Sequence, residues 1–377
     1  MWYDYLMPQQ EIVVIGGGII GCSIALRLAK LGASVTLLEK DRIGREASWA
    51  AAGMLGPHSE ASGPDPFFDL CIRSRDLYAG FAAELREDSG VDAGYRNDGG
   101  FFVALEPHES LDAARWSGWQ IDSGLELQQV SSSDLRSHEP EISDQIHSAI
   151  SIPGDHQVDN RLLMTALEIA ILRAGVKVVR HCEVASLELK NNRVSAVLSH
   201  DARFDCEAVV HAAGCWSSVL LKQIGLAIDV VPAHGQMLSV RGPHLNHVVH
   251  SNDCYLVPRA DGRLLIGATV EYQGFRKTVT AGAIHSLLTS AMRLVPSIQN
   301  AQLVEWWSGL RPDTRDHQPL LGPAGPDGLF LATGHFRNGI LLAPITAELI
   351  SSAIMSGKPA SDLGPFRADR FLVKRAG

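Results

Sequence analysis

The hydrophobic pattern changes twice near the start of the chain. Ile12–Ile15 are four consecutive β-forming residues, and Ile24, Leu28 and Leu31 then recur at helical spacing. The segment Ser34–Leu38 alternates polar and apolar residues before it ends in two leucines. A short apolar run indicates a strand, and the i, i+4, i+7 spacing indicates an amphipathic helix. The pattern therefore predicts strand, helix, strand in that order.

Three glycines separate the first strand from the helix. Gly16 allows the tight turn, Gly18 lets backbone approach a pyrophosphate, and Gly21 lets the helix lie close to the strand. The free N–H groups at the helix start favour phosphate. Glu39 ends the second strand and can accept both ribose hydroxyls of an adenosine. The segment predicts a dinucleotide site, the alternative being a glycine-rich turn that binds nothing.

Helices and strands alternate through the middle of the chain, and strands dominate after residue 230. The apolar periodicity predicts helices at Pro66–Glu87, Leu111–Ser123, Asn160–Ala174, Ala281–Leu294 and Gly339–Met355. Ser131–Asp134 is predicted to be a polar turn. Further strands are predicted at Gly100–Leu105, Val176–Val179, Val184–Leu189, Val194–Leu198, Ala208–Gly214, Gln236–Val240, Cys254–Pro258, Leu264–Gly267, Gln302–Trp306 and Leu329–Ala332.

This order of elements predicts an α/β (α+β) fold with two domains. A Rossmann-like nucleotide-binding domain is expected from three separated stretches, 1–80, 145–225 and 318–377. The intervening stretches, 81–144 and 226–317, are expected to form a second, mostly antiparallel-sheet domain that binds the substrate.

Composition and charge exclude several functions. The net charge of −9 gives no basic surface for nucleic acid. No apolar run reaches the roughly 20 residues of a membrane-spanning helix, and Met1–Gln10 lacks the features of a signal peptide. The six cysteines include no CxxC pair, which is typical of reduced thiols in the cytoplasm. His244, His247 and His250 have no carboxylate or cysteine at ligand spacing, so no metal site is predicted.

The segment Ser48–Gly53, called the small-residue run below, follows the ribose-binding strand. Every residue in it except Trp49 is small. Such a run can pack almost flat and let a planar ring system lie against backbone. The alternative is an ordinary alanine-rich helix start, because alanine has the best helix propensity. The position of the run, directly after the nucleotide-binding segment, favours the first interpretation.

These motifs resemble the D-amino-acid-oxidase family of flavoproteins. The similarity rests on the glycine loop, on Ser48–Leu55 and on Gly334–Gly339. It runs from about Glu11 to about Phe371. Within the family, the chain is most similar to members that oxidise glycine for thiamine biosynthesis. The segments that carry this closer likeness are Ala51–Leu55 with His58, Cys254–Arg259 and Gly309–Pro312.

The resemblance implies non-covalent FAD in the first domain. Because the chain has one dinucleotide fingerprint, no second site for NAD(P) is expected. Residues 334–339, before the last helix, are expected to direct N–H groups at the flavin pyrimidine edge. The implied cofactor-binding residues are Gly16, Gly18, Gly21, Glu39, Ser48, Ala51, Ala52, Gly53, Met54, Val184, Ala213, Gly214, Trp216, His335, Arg337, Asn338, Gly339 and Ile340.

Arg311 is the strongest candidate for binding the substrate. It ends a predicted apolar strand, and its guanidinium fork suits bidentate binding of a carboxylate. The alternative is a structural salt bridge to Asp313 or Asp316. Tyr255 could add a hydrogen bond from its hydroxyl, or it could be a half-buried aromatic of the strand. The resemblance favours the substrate-binding role for both.

Four further residues are implied in the pocket. Met54 is expected as an apolar wall, although methionine is often core filler. Arg337 is expected to receive the substrate amine on its backbone carbonyl, the alternative being a solvent-facing helix cap. Asp253 and Val270 depart from the closest family pattern. They are expected to alter the pocket entrance and the accepted substrate size.

The implied reaction is oxidation of glycine, sarcosine and small D-amino acids to the imine or oxo acid, with O2 reduced to H2O2. The α-hydrogen leaves as hydride, so Tyr255, Arg311 and Arg337 bind substrate and no base is needed at that carbon. Two alternatives are a D-amino-acid dehydrogenase that uses a quinone and an FAD-dependent tRNA-modifying enzyme. The family also implies a cytoplasmic homotetramer whose partners are the amino acid and O2, not nucleic acid or membrane.

Overall fold

The computed structural model describes residues 10–61, 63–358 and 361–371. The predicted tail Met1–Gln10 lies outside the described residues except for Gln10. Over the described ranges, no helix combines the length and the apolar content needed to span a bilayer.

A six-stranded sheet, called the nucleotide sheet below, contains the predicted strand–helix–strand unit. Its neighbouring strands pair in parallel, except for one antiparallel pair at the edge. In spatial order the strands are Leu320–Pro323, Leu329–Thr333, Ala208–His211, Glu11–Ile15, Ser34–Leu38 and Lys177–Val179. Consecutive strands in space therefore come from distant parts of the chain.

Both faces of the nucleotide sheet are covered. Ile12 and Val14 pack into one apolar cluster, and Val13 and Ile15 pack into another, as expected from strand alternation. The first cluster lies under the helices Ile19–Lys30, Pro66–Ser89, Asn160–Arg173 and Ala343–Ser356. The second lies under the helix Ser217–Gln223 and the antiparallel strands Val184–Lys190, Arg193–Ser199 and Arg203–Asp205.

An eight-stranded sheet, called the large sheet, forms the other layer. Its pairs are antiparallel except for the pair Val248–His250 with Gly100–Ala104. In spatial order its strands are Gln302–Asp313, Val231–Arg241, Arg263–Gly267, Tyr255–Pro258, Val248–His250, Gly100–Ala104, Ser148–Ile152 and Gln128–Val130. The predicted fold class, a Rossmann-like part with a mostly antiparallel second sheet, is confirmed.

The remaining elements are short or lie against the large sheet. Met54–Leu55 pairs with His156–Gln157. The helices are Ala47–Ala50, Pro107–Asp122, Ser132–His138 and Ala281–Leu294. The 3-10 turns are Gly214–Trp216, Pro296–Asn300, Ser361–Phe366 and Ala368–Phe371.

Several element predictions differ from the structure at their ends: the helix predicted at Leu111–Ser123 is Pro107–Asp122, and the strands predicted at Gln236–Val240 and Ala208–Gly214 are Val231–Arg241 and Ala208–His211. Three further differences have a clear local cause. Ser131 is the N-cap of the helix Ser132–His138, so the predicted polar turn is a helix start. The last helix begins at Ala343 and not at Gly339, because Pro344 has no N–H to donate to a carbonyl four residues earlier and is tolerated only in a first turn. The strand predicted at Gln302–Trp306 continues to Asp313, because pairing with Val231–Arg241 extends over its whole length.

The division into two domains stays a prediction. We propose it with two boundaries moved. The boundary at 80 moves to about 89, because the whole helix Pro66–Ser89 packs on the nucleotide sheet. The boundary at 145 moves to about 153. The reason is that Ser148–Ile152, which the sequence analysis did not identify as a strand, pairs with Gly100–Ala104 in the large sheet.

A substitution at Gly21 tests how closely the first helix must approach the first strand. A Cβ at Gly21 would overlap the carbonyl oxygen of Gly16. We expect Gly21→Ala to destabilise the protein by about 1–3 kcal/mol, the usual cost of overpacking, and to lower the bound flavin per chain. Thermal unfolding and flavin absorbance measure the two effects.

Gly80→Ala is the matched control. Gly80 lies exposed in the helix Pro66–Ser89, and a Cβ there meets nothing within 4 Å. Alanine should therefore stabilise the protein by roughly 0.5–1 kcal/mol at this helical position. Equal stability of the two variants would contradict the close approach at Gly21.

Candidate active site

A cavity lies at the carboxyl ends of the parallel strands of the nucleotide sheet, where it faces the large sheet. Gly16 and Glu39 line it from the first sheet, and Met237, Tyr255 and Arg311 line it from the second. Ligands of open parallel sheets bind outside the carboxyl ends of the strands. The cavity is thus a candidate site for a nucleotide at one end and a second molecule at the other.

Glu39 fixes the glycine loop by a hydrogen bond to its backbone. Its Oε2 accepts a hydrogen bond from the Gly17 N–H at 2.7 Å, and its Oε1 accepts one from the Asp41 N–H at 2.9 Å. Ser48 Oγ accepts from the Ile19 N–H at 2.9 Å, at the start of the first helix. An ionised carboxylate has about four acceptor positions. Glu39 can therefore hold the loop and still accept ribose hydroxyls.

The small-residue run is held by its backbone carbonyls. Asn160 Nδ2 donates to the Ser48 and Trp49 carbonyls at 2.9 and 3.0 Å. Trp307 Nε1 donates to the Ala50 carbonyl at 2.9 Å. The helix Ala47–Ala50 includes only Ser48–Ala50 of this run, so the alternative of an alanine-rich helix start accounts for three of its six residues.

Arg259 completes this set of donors. Its Nη2 donates to the Ala52 carbonyl and, at 3.2 Å, to Asn160 Oδ1. The Arg259 side chain is buried, and burial lowers its pKa to about 10. Asp159 lies 3.6 Å from Arg259 Nε and opposes that shift. The small residues thus present a backbone surface to the cavity that buried side chains fix in place.

His211 offers a polar test of whether FAD fits the cavity. The side chain lines the cavity and is 1% exposed, and its Nε2 lies 3.2 Å from the Ser217 carbonyl. Burial lowers the His211 pKa to about 4, so the ring is neutral and the bond to Ser217 leaves Nδ1 as an acceptor. Nδ1 has no partner among the described residues. An unpaired buried acceptor costs about 1–3 kcal/mol, so the site fits a ligand with a donor here.

Most of the predicted cofactor residues meet in this cavity. Those that line it are Gly16, Gly18, Glu39, Ser48, Ala51, Ala52, Gly53, Met54, Val184, Ala213, Gly214, Trp216, His335, Arg337, Gly339 and Ile340. Gly21 and Asn338 are not among the residues that line it. The place of Gly21 against the Gly16 carbonyl matches its expected packing role. Individual cofactor contacts stay predictions.

Arg311 lies over a glycine and faces the cavity without a carboxylate partner. A Cβ at Gly235, on the neighbouring strand, would overlap its guanidinium. Arg311 Nη1 donates to the Thr269 carbonyl at 3.1 Å. In the described part of the chain no carboxylate forms a salt bridge with it. Asp313 accepts instead from the Tyr272 hydroxyl at 2.6 Å, and Asp316 pairs with Arg370 at 2.7 Å.

This geometry answers the alternative considered for Arg311. The structural salt bridge to Asp313 or Asp316 does not form, because both carboxylates are held by other groups. Burial lowers the pKa of Arg311, yet a guanidinium stays charged at neutral pH. The cavity therefore contains a desolvated cation whose charge a bound anion could balance.

Tyr255 lies on the large sheet with its hydroxyl directed into the same end of the cavity. It pairs with Gly267, whose missing side chain leaves room for the ring: a Cβ there would lie 2.6 Å from the Tyr255 Oη. The hydroxyl lies 3.6 Å from Met237 Sδ. Burial raises the pKa of Tyr255, and the Arg311 charge opposes the shift. The hydroxyl is therefore protonated at neutral pH and can donate.

Arg337 forms an ion pair with Glu60, with 2.8 Å between Nη2 and Oε1. Both residues line the cavity, as does Met54. Glu60 is the main cause of a raised pKa at Arg337. Arg337 precedes the last helix, whose N-cap is Leu342, so it is not the cap of that helix; its side chain is 37% exposed and paired with the Glu60 carboxylate.

Asp253 and Val270 lie apart from these residues. Neither is among the described residues that line the cavity. Asp253 precedes the strand that carries Tyr255 and lies 3.8 Å from Arg293 Nη1. Val270 is 43% exposed. An influence on the cavity entrance stays a prediction for both residues. In the described structure neither residue forms part of the cavity wall.

Sequence reasoning missed several residues of the cavity, notably Lys40, Glu60, His211 and Met237. Lys40 follows Glu39 directly, and its Nζ lies 3.2 Å above the Trp216 ring, so its position after the strand was a usable signal. His211 was detectable as a histidine within an apolar strand. Glu60 left no local signal, because its importance comes from Arg337, which is distant in sequence.

Comparison with known proteins gives a consistent result. The chain matches the family model described as FAD dependent oxidoreductase over residues 11–353. A glycine oxidase of Geobacillus kaustophilus is 38% identical over 97% of this chain and 98% of that protein. The bifunctional protein ThiO/ThiG of Synechocystis is 37% identical over 98% of this chain, which spans 55% of that longer protein.

The structures agree with the sequences. The crystal structure of the Geobacillus kaustophilus glycine oxidase superposes with a TM-score of 0.91 at 37% identity. The match covers 98% of this chain and 100% of that one. The fold and the arrangement of its two sheets are thus shared along nearly the whole length.

Proposed function

The chain belongs to the FAD-dependent oxidoreductase family, and from this premise we propose that it oxidises glycine with FAD and O2. Sarcosine and small D-amino acids are proposed as further substrates. The observation that carries the proposal is the Arg311 guanidinium, which has no carboxylate partner among the described residues and lies beside the Tyr255 hydroxyl. The relatives, which are glycine oxidases, favour this activity over the quinone-dependent and tRNA-modifying alternatives.

Arg311 and Tyr255 are proposed to bind the substrate carboxylate together. A guanidinium fork and a protonated hydroxyl both donate, and a carboxylate accepts. The Arg337 backbone carbonyl is proposed to accept from the substrate amine, and Met54 to bound the pocket on an apolar side. The α-carbon is then held between the carboxylate and amine contacts.

When bound, FAD would be held by the glycine loop and the small-residue run that line the cavity, and it would supply the two-electron redox chemistry between the amine and O2. The residues around the substrate position it and do not take a proton. Tyr255 has a pKa raised by burial and stays a phenol, and Arg311 stays a guanidinium. Neither group can act as a base at neutral pH. The hydride mechanism requires the amine in its neutral form, and neither Tyr255 nor Arg311 takes its proton.

A peroxide-coupled assay with glycine, sarcosine and small D-amino acids tests the function directly. We expect a yellow protein that forms H2O2 with glycine and that releases all of its flavin on denaturation. Flavin reduction by glycine without peroxide under air would favour the quinone-dependent dehydrogenase. A shift of tRNA in a gel, with no amine oxidation, would support the tRNA-modifying alternative.

Substitutions at Arg311 and Tyr255 test the carboxylate site. Truncating one partner of a buried charge pair costs ~2–5 kcal/mol, so Arg311→Ala should raise the glycine KM on the order of 30-fold or more. Tyr255→Phe removes one hydrogen bond to a charged group, worth about 1.5–3 kcal/mol. Its effect should be smaller and mainly on KM, because the contact is similar in the ground and transition states.

Anaerobic stopped-flow reduction across glycine concentrations measures both effects. Arg241→Ala is the matched control, since Arg241 ends a strand of the same sheet, is exposed, and does not line the cavity in the described residues. A limiting reduction rate of Tyr255→Phe lowered about a hundredfold at unchanged KM would instead make Tyr255 a general base.

We further propose that the imine product supplies the thiazole of thiamine. The family members that the chain most resembles and the ThiO/ThiG relative support this role. Deleting the gene should create a thiamine requirement. Unimpaired growth without thiamine, in a strain shown to have no other source of the imine, would exclude the role.

A cytoplasmic homotetramer is proposed for the enzyme in the cell. All six cysteines are free and buried, as expected for a protein kept in a reducing compartment. Light scattering of the purified flavoprotein tests the assembly, and a mass other than four chains would exclude the tetramer. Fractionation of cells tests the location, and activity outside the cytoplasmic fraction would exclude it.

A further inference from the structure

Three charged groups gather at the substrate end of the cavity. Arg311, Arg337 and Glu60 all line it, and each acts electrostatically on the protonation of another member of the group or of Tyr255. Arg337 and Glu60 neutralise each other at 2.8 Å. Arg311 has no carboxylate partner in the described chain. The cluster therefore has a net charge of about one positive unit.

The segment that carries Glu60 is fixed by a buried carboxylate. Asp155 is 4% exposed, and it accepts from the His58 N–H at 3.0 Å and from the Ser59 N–H at 3.2 Å. The His58 ring is also buried and lies 2.9 Å from Gln120 Oε1. Glu60 follows directly after these two anchored residues. Its carboxylate is thus held at the cavity and is not a mobile surface charge.

One substrate carboxylate balances the free charge of Arg311. A second carboxylate would approach Glu60, and it could reach Arg337 only by displacing Glu60 from the ion pair. Like charges in contact cost several kcal/mol at an interface, and specificity often rests on such a repulsive element. On the basis of the proposed function, we propose that Glu60 determines specificity by excluding amines that carry a second carboxylate on the nitrogen side.

The proposal assigns different tasks to the two arginines. Arg311 binds the carboxylate common to all substrates, and the Arg337 side chain is kept neutralised so that it does not attract another. Because Arg337 is also the residue whose carbonyl is proposed to meet the amine, Glu60 screens groups attached to that amine. Sarcosine adds a neutral methyl group there, whereas iminodiacetate adds a carboxymethyl group. This pair of amines separates charge from N-substitution.

Glu60→Gln provides the direct test, because it removes the charge and keeps the size of the side chain. We expect the ratio of kcat/KM for iminodiacetate to that for sarcosine to rise at least tenfold. Glu60→Asp, which keeps the charge, should stay within about threefold of the unchanged protein in the same ratio. A ratio that changes less than twofold in Glu60→Gln would overturn the proposal.

Ligand binding gives a second measurement that does not need turnover. Acetate and malonate, titrated into the flavoprotein and followed by flavin absorbance, differ by one carboxylate. The Kd of malonate relative to that of acetate should fall at least tenfold in Glu60→Gln and should rise in Arg337→Met, which leaves Glu60 unpaired. An opposite or absent change in either variant would refute the proposal, and Arg337→Met decides alone if Glu60→Gln fails to fold.

The two measurements also separate this proposal from the proposed function. If glycine is not oxidised at all, the proposed function fails, but the malonate-to-acetate ratio still reports on Glu60. If glycine is oxidised and neither ratio responds to Glu60→Gln, only the specificity proposal fails.

Discussion

Hydrogen bonds to the backbone carbonyls of the small-residue run join the two sheets at the cavity. Asn160 comes from a helix on the nucleotide sheet, whereas Arg259 and Trp307 come from the large sheet. Alanine and glycine side chains cannot anchor a segment by themselves. A flat backbone surface for a ring system therefore depends on donors that reach it from both sides. Loss of any of these donors would leave a buried carbonyl unpaired, at a cost of about 1–3 kcal/mol.

The cationic groups near the cavity are used in contrasting ways. Arg259 is buried and donates hydrogen bonds to a backbone carbonyl and an amide oxygen. Because Asp159 also lies nearby, the charge of Arg259 is balanced within the protein. Arg337 is neutralised by Glu60. Arg311 lies over Gly235 with one backbone acceptor and no carboxylate among the described residues. Of these three arginines, Arg311 is thus the one whose charge remains available to a ligand.

Much of the fold could be predicted from local signals. The strand, the glycine loop, the first helix and Glu39 have strict spacing requirements, because backbone, phosphate and ribose must meet at fixed distances. The structure confirms these elements and the mostly antiparallel second sheet. Ser148–Ile152 escaped prediction because a five-residue strand with two serines has a weak pattern, and its pairing with Gly100–Ala104 decides its structure.

The candidate site was predictable in part for a similar reason. Side chains alternate between the two faces of a strand, so the face on which Arg311 and Tyr255 lie could be predicted. Both residues line the cavity. Glu60 became visible only in three dimensions, and His211 stands out in the sequence within an apolar strand but without its role. Glu60 matters through an ion pair with a residue far along the chain, and His211 matters through an acceptor that no described residue satisfies. Such roles arise from contacts between elements and leave no periodic trace in the sequence.

The strand order of the nucleotide sheet also determines when the neighbours of each strand become available during synthesis of the chain. Glu11–Ile15 finds one neighbour, Ser34–Leu38, soon after it is synthesised, but its other neighbour is Ala208–His211. Leu329–Thr333 must then add to that strand before Arg337 and Gly339 can close the cavity. The glycine loop is synthesised early, but the cavity that it lines also needs residues from the last part of the sequence. A complete cofactor site consequently requires residues from Ile15 to Ile340, which is nearly the whole chain.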